Sequence, residues 1–448
     1  MSYLNTLKNP MKTDAQLFED DRPQNQFEHL IERSSDGSLL RTIKIRNQHF
    51  ITSLPAFTHS GDAESEWWLQ IIRGVHPTVV RSDTKRKSLK IADLFCGSGG
   101  FSNGIKMAAD ALGLKLDVKF AVDTDIAALQ AYQRNHNPKI LIGQSVTDIL
   151  DSQILISDDE PSFYYQPEIV DDRVRDFVGT VDLVVAGPPC QGHSNLNNHT
   201  RRDDVRNALY PTAAEIAVAL GAKAILIENV PAVLHDKYRS VEITRKLLTN
   251  LSWSVDDGVL AATKIGWPQT RKRHFLAASL MGAVLGLHKI ENELKSPTRP
   301  LSWLIGDILE PSKPTYMDET SRLSEENIDR INYLFDNDVY LLPNHIRPLK
   351  HQNGHTYPSS YGRMNWDKPS GTITTGFMTP GRGKFVHPLK RRPITPREAA
   401  RIQGFPDSFD FGDPASPPSR TSLAKWIGDA IPSPLGYAAA FSVLSAFI

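Results

Sequence analysis

Two side chains able to do covalent or acid–base chemistry each follow a short apolar segment of the sequence. Cys190, one of two cysteines among 448 residues, comes after the apolar run 181–186 and Gly187-Pro188-Pro189. Glu228 directly follows the apolar run 224–227. Such runs are typical of buried parallel strands, whose carboxyl ends meet at the ligand-binding edge of an open α/β sheet. The spacing therefore predicts a thiol and a carboxylate at one sheet edge.

Each of these residues also has a purely structural interpretation. A lone cysteine is often a buried, inert side chain, and a carboxylate at a strand end can simply form a salt bridge. Two reactive groups delivered to the same edge favour a functional constellation instead. A cysteine hydrolase using Cys190 and His193 is a rival, but it gives no role to the glycine turn described next.

A glycine-rich turn follows the predicted strand at residues 90–95. Its sequence is Cys96-Gly97-Ser98-Gly99-Gly100, and a second predicted strand at 118–122 ends at Asp123, 24 residues after Gly99. Glycines allow a ligand to approach the backbone closely, and an acid about 20 residues downstream is suited to ribose hydroxyls. The turn lacks the G-x-G-x-x-G pattern that holds a pyrophosphate. It therefore suits adenosylmethionine, which carries no phosphate.

Two basic segments are candidates for contacts with a nucleic acid. Arg271 and Arg273 alternate in an extended stretch, which places both guanidinium groups on one face, suited to a phosphate or a base oxygen. Residues 381–401 contain seven Lys or Arg and one acid, and we expect nucleic acid to bind there. Residues 151–176 contain eight acids and two bases, which predicts a surface insertion.

Length and composition narrow the class of protein. A chain of 448 residues can hold two or three domains of roughly 100–200 residues each. With two cysteines, no signal peptide and no apolar run near ~18 residues, we expect a cytoplasmic protein with no membrane contact. The longest apolar run, 435–448, predicts a helix or strand packed on the core. The formal net charge is zero, which argues against coating nucleic acid by bulk charge, and we expect no metal site.

Considered together, the motifs resemble those of the prokaryotic DNA (cytosine-5)-methyltransferase family. The resemblance implies an α/β fold: a Rossmann-like adenosylmethionine-dependent methyltransferase domain with a mostly parallel sheet, plus a smaller target-recognition domain. The expected divisions are an N-terminal accessory extension (1–88), the catalytic and cofactor-binding domain (89–278), the target-recognition domain (279–391) and the C-terminal part of the catalytic domain (392–448). The matching motifs occur in the family's order: Asp93-Leu94-Phe95-Cys96-Gly97-Ser98-Gly99-Gly100, Gly187-Pro188-Pro189-Cys190-Gln191-Gly192, Glu228-Asn229-Val230, Gln269-Thr270-Arg271-Lys272-Arg273, Arg397-Glu398-Ala399-Ala400-Arg401-Ile402-Gln403-Gly404-Phe405-Pro406-Asp407, and Gly428-Asp429-Ala430-Ile431-Pro432.

The resemblance also implies a cofactor site for S-adenosyl-L-methionine. The family usually has an acid that contacts the adenine amine after the third strand; here we prefer Ser145 for that role, with Asp148 as the alternative. The family often has Asn at the position of Asp429, and the extra charge suits a cationic cofactor. The remaining implied contacts are the pocket lining by Phe95, Gly97 and Gly99, the ribose contact by Asp123, the adenine packing by Thr124, and the proximity of Pro189 and Asp429.

The chemistry implied by the family is methylation of cytosine carbon 5 in a specific double-stranded DNA sequence. Cys190 would attack C6 of a flipped-out base, Glu228 would hydrogen-bond and protonate N3, and Arg271 and Arg273 would lower the pKa of the thiol. The alternatives are an RNA cytosine-5 methyltransferase of the same lineage, whose extra cysteine is absent here, and a catalytically silent DNA-binding relative. We expect a monomeric catalytic unit, with restriction or phage-defence proteins as possible partners.

Overall fold

We describe the protein from a computed structural model, which covers residues 26–56, 61–86, 88–189, 209–352 and 359–448. Cys190 lies outside these ranges, as do His193 and the rest of the loop that follows it.

The first described part of the chain forms an antiparallel four-stranded sheet with one helix against its inner face. The side chains of its second strand alternate between buried and partly exposed. Asp62 begins the helix by accepting a hydrogen bond from the backbone nitrogen of Ser65 at 2.8 Å. The elements are β1 (Phe27–Arg33), β2 (Leu39–Ile45), β3 (Gln48–Leu54), α1 (Ala63–Ile72) and β4 (Thr78–Ser82), with strand order β1-β2-β3-β4.

Three parallel strands alternating with two helices come next, as the apolar runs predict. Gly99 precedes the first of these helices with φ = 97°, in the left-handed region that favours glycine. Asp125 caps the second helix by accepting a bond from the backbone of Ala128 at 3.0 Å. The elements are β5 (Ser88–Leu94), α2 (Gly100–Ala111), β6 (Lys115–Val122), α3 (Ile126–His136) and β7 (Ile140–Ile142).

The acidic segment after β7 lies at the surface, as predicted. Ile156 and Tyr164 are 55% and 66% exposed. Its strands form two small antiparallel pairs, β8 with β11 and β9 with β10. The elements are β8 (Leu150–Asp151), β9 (Ile154–Ser157), β10 (Glu160–Phe163), β11 (Glu168–Ile169) and α4 (Asp172–Arg175).

The following elements complete the central sheet, which has seven strands in the described ranges. Its order is β14-β15-β13-β12-β5-β6-β7; the pairs from β13 to β7 are parallel, whereas β15 is antiparallel to both of its neighbours. The predicted mostly parallel α/β sheet is therefore confirmed. The added elements are β12 (Leu183–Ala186), α5 (Leu209–Ala219), β13 (Ala224–Asn229), α6 (Ser240–Asn250), β14 (Ser254–Ala261) and β15 (Lys272–Ser279).

The last helices of the chain pack back against the central sheet. Thr395 and Glu398 form a capping box around Pro396 at the start of one helix. The last helix is buried along its whole length, against α2 on one side and the N-terminal sheet on the other. No single described helix is long and apolar enough to cross a membrane; the bent pair Arg420–Asp429 and Ser433–Phe447 meets that test by length and composition. The helices are α7 (Leu287–Glu293), α8 (Leu301–Ile305), α9 (Glu325–Asp336), α10 (Pro396–Ile402), α11 (Arg420–Asp429) and α12 (Ser433–Leu444).

Candidate active site

A cleft of about 470 Å³ opens at the carboxyl ends of β5, β6, β12 and β13. Most of the site residues predicted from the sequence line it, although they come from segments far apart in the chain. Gly99, Asp148 and Arg271 are not among its lining residues. The predicted residues that the cleft brings together are Phe95, Gly97, Asp123, Thr124, Ser145, Pro189, Glu228, Arg273 and Asp429.

The glycine turn after β5 is held in shape by Asp123. The backbone nitrogen of Gly97 donates to Asp123 Oδ2 at 2.8 Å, and the nitrogen of Asp125 donates to Oδ1 at 2.8 Å. The carboxylate thus ties the ends of β5 and β6 together while lining the cleft. Phe95 has φ = 58°, a left-handed conformation that costs an aromatic residue of order 1–3 kcal/mol and that the surrounding fold must impose.

Gly99 shapes the turn from behind the cleft. A Cβ atom at this position would lie 2.4 Å from His136 Nε2, so only glycine fits. The same nitrogen of His136 lies 3.1 Å from the carbonyl oxygen of Gly99. Gly99 thus supports the turn, and its predicted contact with a cofactor stays a prediction.

At the β7 end of the cleft, the two candidates for an adenine contact lie in different surroundings. Ser145 lines the cleft, and its Oγ accepts a bond from the backbone of Thr147 at 3.3 Å. Asp148 is exposed and does not line the cleft. Gln144, which the sequence interpretation did not include, lies beside Ser145 in the lining and bonds to Asp171 at 3.1 Å.

Two further residues of α11 line the cleft, and the sequence interpretation did not predict them. Lys425 Nζ and Trp426 Nε1 donate to Asp125 Oδ2 at 2.8 Å and 3.3 Å, so the first turn of α3 anchors them. Burial raises the pKa of Asp429, a shift that Lys425 opposes. The available sequence signal was the Trp directly before the Ile-Gly-Asp of the last motif.

Glu228 and Arg273 form a buried pair at the cleft wall. Arg273 Nε lies 2.7 Å from Glu228 Oε1, but the N–H direction is not aligned, so Oε1 makes no hydrogen bond among the described residues. Burial raises the pKa of Glu228, and the nearby Arg273 and Arg271 guanidinium groups oppose that rise. A buried carboxyl group with a raised pKa can hold or donate a proton in the cleft.

Arg271 has a different environment from Arg273. It is 3% exposed, and its Nη1 donates to the carbonyl oxygens of Ile373 at 2.7 Å and Gly428 at 3.2 Å. Arg271 therefore joins β15 to the segment after α9 and to α11. Arg271 is not among the lining residues of the cleft, and its expected place among the catalytic residues stays a prediction.

The segment leading to Cys190 is fixed up to its last described residue. Pro188 and Pro189 line the cleft, and Asn229 Nδ2 donates to the carbonyl oxygen of Pro188 at 3.4 Å. The motif that carries Glu228 thus also holds the Pro188 backbone, two residues before Cys190 in the sequence. The predicted nucleophile itself lies outside the described residues.

The basic run at residues 381–401 is less available for nucleic acid than its composition suggests. Five of its seven basic side chains form ion pairs with acids of the same chain. Arg382 and Lys384 have no ion pair among the described residues. The paired residues, each with its acid, are Lys390 with Glu310, Arg391 with Asp336, Arg392 with Glu398, Arg397 with Asp318, and Arg401 with Asp307 and Asp407.

Comparisons with known proteins agree with this geometry. The chain is 38% identical over 413 residues to Type II methyltransferase M1.BsuMI of Bacillus subtilis (strain 168), covering 90% of this chain and 92% of the relative. It is 26% identical over 394 residues to Type II methyltransferase M.DdeI of Desulfomicrobium norvegicum, covering 79% and 88%. A crystal structure of a putative DNA modification methyltransferase encoded within a prophage (E.coli) shares the fold, with a TM-score of 0.51, 22% identity, and coverage of 79% and 98%.

The family assignment rests on a match that spans most of the chain. Residues 89–444 match the family described as C-5 cytosine-specific DNA methylase, which leaves the N-terminal sheet outside the match. This chain therefore belongs to the C-5 cytosine-specific DNA methylase family and is a DNA (cytosine-5)-methyltransferase.

Proposed function

We propose that this enzyme transfers a methyl group from S-adenosyl-L-methionine to carbon 5 of a cytosine flipped out of a specific double-stranded DNA sequence, with Cys190 as the nucleophile. One observation carries the proposal. Glu228, Arg273 and the prolines before Cys190 open into the same cleft as Asp123 and the glycine turn. A base and a cofactor can therefore meet in one cavity, and residues of a single chain supply it.

The residues of the cleft fit the proposed cofactor. A Cβ atom at Gly97 would have no neighbour within 4 Å, so the turn leaves open space beside its backbone. Ser98 Oγ is buried, lines the cleft and has no hydrogen-bond partner among the described residues. Asp123 would hold the ribose, and Phe95 and Thr124 would flank the adenine. When bound, adenosylmethionine supplies an electrophilic methyl group on its sulfonium.

Glu228 is suited to hold the pyrimidine ring and control its charge. The N3 atom of neutral cytosine accepts a hydrogen bond, so a protonated carboxyl group is its complement. The raised pKa of Glu228 favours that protonated form, and Arg273 Nε, 2.7 Å from Glu228 Oε1, helps to position the carboxyl group. Donation of this proton to N3 offsets the negative charge that builds in the ring when C6 is attacked.

Cys190 would provide covalent catalysis. Its thiolate adds to C6, which turns C5 into an enamine carbon able to attack a methyl group. After transfer, C5 loses its proton to water, and the C6–S bond breaks to restore the aromatic ring and the free thiolate. The cytosine must leave the duplex for this, because C6 is inaccessible within the base stack.

Methylation of a plasmid in cells tests the proposal. Bisulfite sequencing of a plasmid co-expressed with the gene should show protection at cytosines of one short sequence, and Cys190→Ser should abolish it. The chain's other cysteine gives a matched control: burial raises the pKa of the Cys96 thiol, so Cys96→Ser should still form an adduct with 5-fluorocytosine DNA. Methylation by Cys190→Ser at a rate near wild type would refute the mechanism. Transfer of tritiated methyl to tRNA instead of DNA would identify the RNA alternative.

A further inference from the structure

A second cavity, of about 500 Å³, lies behind the glycine turn, and none of its lining residues lines the catalytic cleft. It is bounded by α2, β6, the end of α3 and the start of β4, so the N-terminal sheet contributes part of its wall. Cavities of this size commonly accommodate small molecules. Its apolar lining comprises Ile91, Ile105, Leu116, Val118 and Val185, with Pro77 and Val79 from the N-terminal sheet.

Polar groups in this lining restrict the ligands that it suits. Lys106 pairs with Asp110 at 2.6 Å, whereas Lys115 is exposed and has no ion pair among the described residues. Lys106, Asp110 and Lys115 together carry a formal charge of +1. The charged side chains therefore leave one uncompensated cation beside the apolar part of the lining, and this combination complements a small anion with an apolar body.

His136 adds a hydrogen-bond acceptor to the lining. A carbonyl oxygen can only accept, so the contact of Nε2 with the Gly99 carbonyl places the ring hydrogen on Nε2. Burial lowers the pKa of His136 to about 4, so the ring is neutral and Nδ1 carries a lone pair. No described residue donates to Nδ1. A ligand with one N–H or O–H group would satisfy it.

We propose that this second cavity is a binding site for a small organic anion with an apolar body and one hydrogen-bond donor, and that its occupancy is coupled to the cofactor site through His136. The ring of His136 packs on Tyr132 at 4.6 Å between centroids. The Tyr132 hydroxyl donates to Asp93 Oδ2 at 2.8 Å, at the end of β5 that leads into the glycine turn. A ligand that moves His136 therefore acts on both ends of the turn.

The dye anilinonaphthalene sulfonate is a suitable probe, because it combines an apolar aromatic body, one sulfonate and one N–H group. Its fluorescence should rise with saturable binding to the folded full-length protein. Ile105→Trp fills the cavity and should abolish that binding. Lys115→Glu, on the exposed rim, should weaken it by about twofold to fivefold, the range typical of a partly exposed charge pair. Lys295→Glu, an exposed lysine outside the lining, is the matched control and should bind the dye like wild type.

Unchanged dye affinity in both cavity variants would overturn the proposal; if Ile105→Trp fails to fold, Lys115→Glu alone decides. The coupling has its own test, the dissociation constant of S-adenosylhomocysteine with and without saturating dye. We expect a change of about fivefold or more, with the reciprocal change in dye affinity. Equal constants, or one-for-one displacement of the dye, would overturn the coupling. Failure of S-adenosylhomocysteine to bind at all would instead contradict the proposed function.

Discussion

Arg271 and Arg273 are two positions apart in one extended stretch, yet their guanidinium groups have different partners. Alternation along a strand predicts that both guanidinium groups lie on one face. It does not predict depth or partner, because the carbonyl oxygen that Arg271 binds belongs to Ile373, 102 residues later in the chain. Contacts of this kind depend on how distant segments pack, so the sequence pattern cannot separate a residue that pairs with Glu228 from one that joins three segments.

At the residue scale, Glu228→Gln should reduce methyl transfer by about 10²–10⁴-fold, the usual loss when a positioned proton donor is removed. An amide cannot protonate N3, although it keeps the shape of the side chain. Single-turnover transfer of labelled methyl to DNA measures the effect, and the affinity for S-adenosylhomocysteine should stay near wild type.

The control for this experiment is Glu215→Gln. Burial raises the pKa of Glu215 as well, but this carboxyl contacts Ser152 at the base of α5 and does not line the cleft. Equal losses in the two variants would mean that Glu228 acts through folding rather than through chemistry.

Arg271→Lys should destabilise the protein although it keeps the charge. One ammonium group cannot reproduce the guanidinium contacts to two separate carbonyl oxygens, and each buried acceptor left without a donor costs about 1–3 kcal/mol. We expect a lower melting temperature and a higher KM for both substrates. Lys272→Met, at the exposed position between the two arginines, is the control. A melting temperature equal to that of the control would rule out the joining role.

At the scale of elements, α2 and α12 cross in close contact beside the cleft. A Cβ atom at Gly104 would lie 2.3 Å from the carbonyl oxygen of Ser433 and 2.8 Å from the nitrogen of Tyr437. Asn103 Nδ2 donates to Ser433 Oγ at 3.0 Å at the same crossing. Because α2 begins directly after the glycine turn, its position against α12 also sets the position of the turn.

Gly104→Ala should therefore lower stability by about 3 kcal/mol, at the upper end of the usual cost of overpacking, and weaken binding of S-adenosylhomocysteine. Thermal unfolding and calorimetric titration measure the two effects. Gly258→Ala is a matched control, since its Cβ would meet Leu287 at an ordinary 3.9 Å. If the Gly104→Ala protein is destabilised but binds S-adenosylhomocysteine like wild type, the helix crossing does not set the position of the glycine turn.

The sequence predicts the positions of the buried strands, but it does not predict which partners the charged side chains have. The difference is that a strand follows from local composition, whereas an ion pair depends on the fold. Buried parallel strands such as β12 and β13 are continuous apolar runs, so their positions follow from local composition. The basic run near residue 390 has an equally clear composition, but the acids that neutralise Lys390 and Arg391 lie about 55–80 residues earlier. Local charge cannot reveal partners that only the fold brings together.

At the scale of the whole molecule, the N-terminal sheet shares its core with the catalytic domain. Phe27 packs on Phe441 and Trp68 on Tyr437, with ring centroids 5.2 Å and 5.1 Å apart. Arg41 is buried, lies 4.7 Å from the Trp67 ring and donates to the Tyr437 hydroxyl at 3.3 Å. The sequence does not predict that α12 covers these N-terminal residues, because an apolar face does not specify what covers it.

This interface should make the free energy of unfolding decrease as the pH falls. Tyr437 accepts from Arg41, so its hydroxyl is free to donate to His29 Nε2, 2.8 Å away, and burial lowers the pKa of His29 to about 3. The native state thus holds His29 neutral while the unfolded chain takes up a proton below its usual pKa of 6.5. The stabilisation is complete above pH 6.5 and is lost as pH falls towards 3, about 2 kcal/mol by pH 5.

His29→Gln keeps an acceptor for Tyr437 but cannot titrate, so its free energy of unfolding should fall less between pH 8 and pH 5. Chemical denaturation at the two pH values measures this difference. His288→Gln, at a side chain that is 80% exposed, should behave like wild type. A wild-type pH slope in His29→Gln would show that His29 is not a source of the acid sensitivity.

The crossing of α2 and α12 also has a consequence for the newly made chain. About 320 residues separate the end of α2 from the start of α12, which the ribosome adds in roughly 16–64 s at 5–20 residues per second. Throughout that time, the apolar surfaces of α2 and the N-terminal sheet that α12 covers in the native state lack this partner. We expect nascent chains of this enzyme to depend on chaperones, and chains released before α12 to aggregate rather than to accumulate as partly active enzyme.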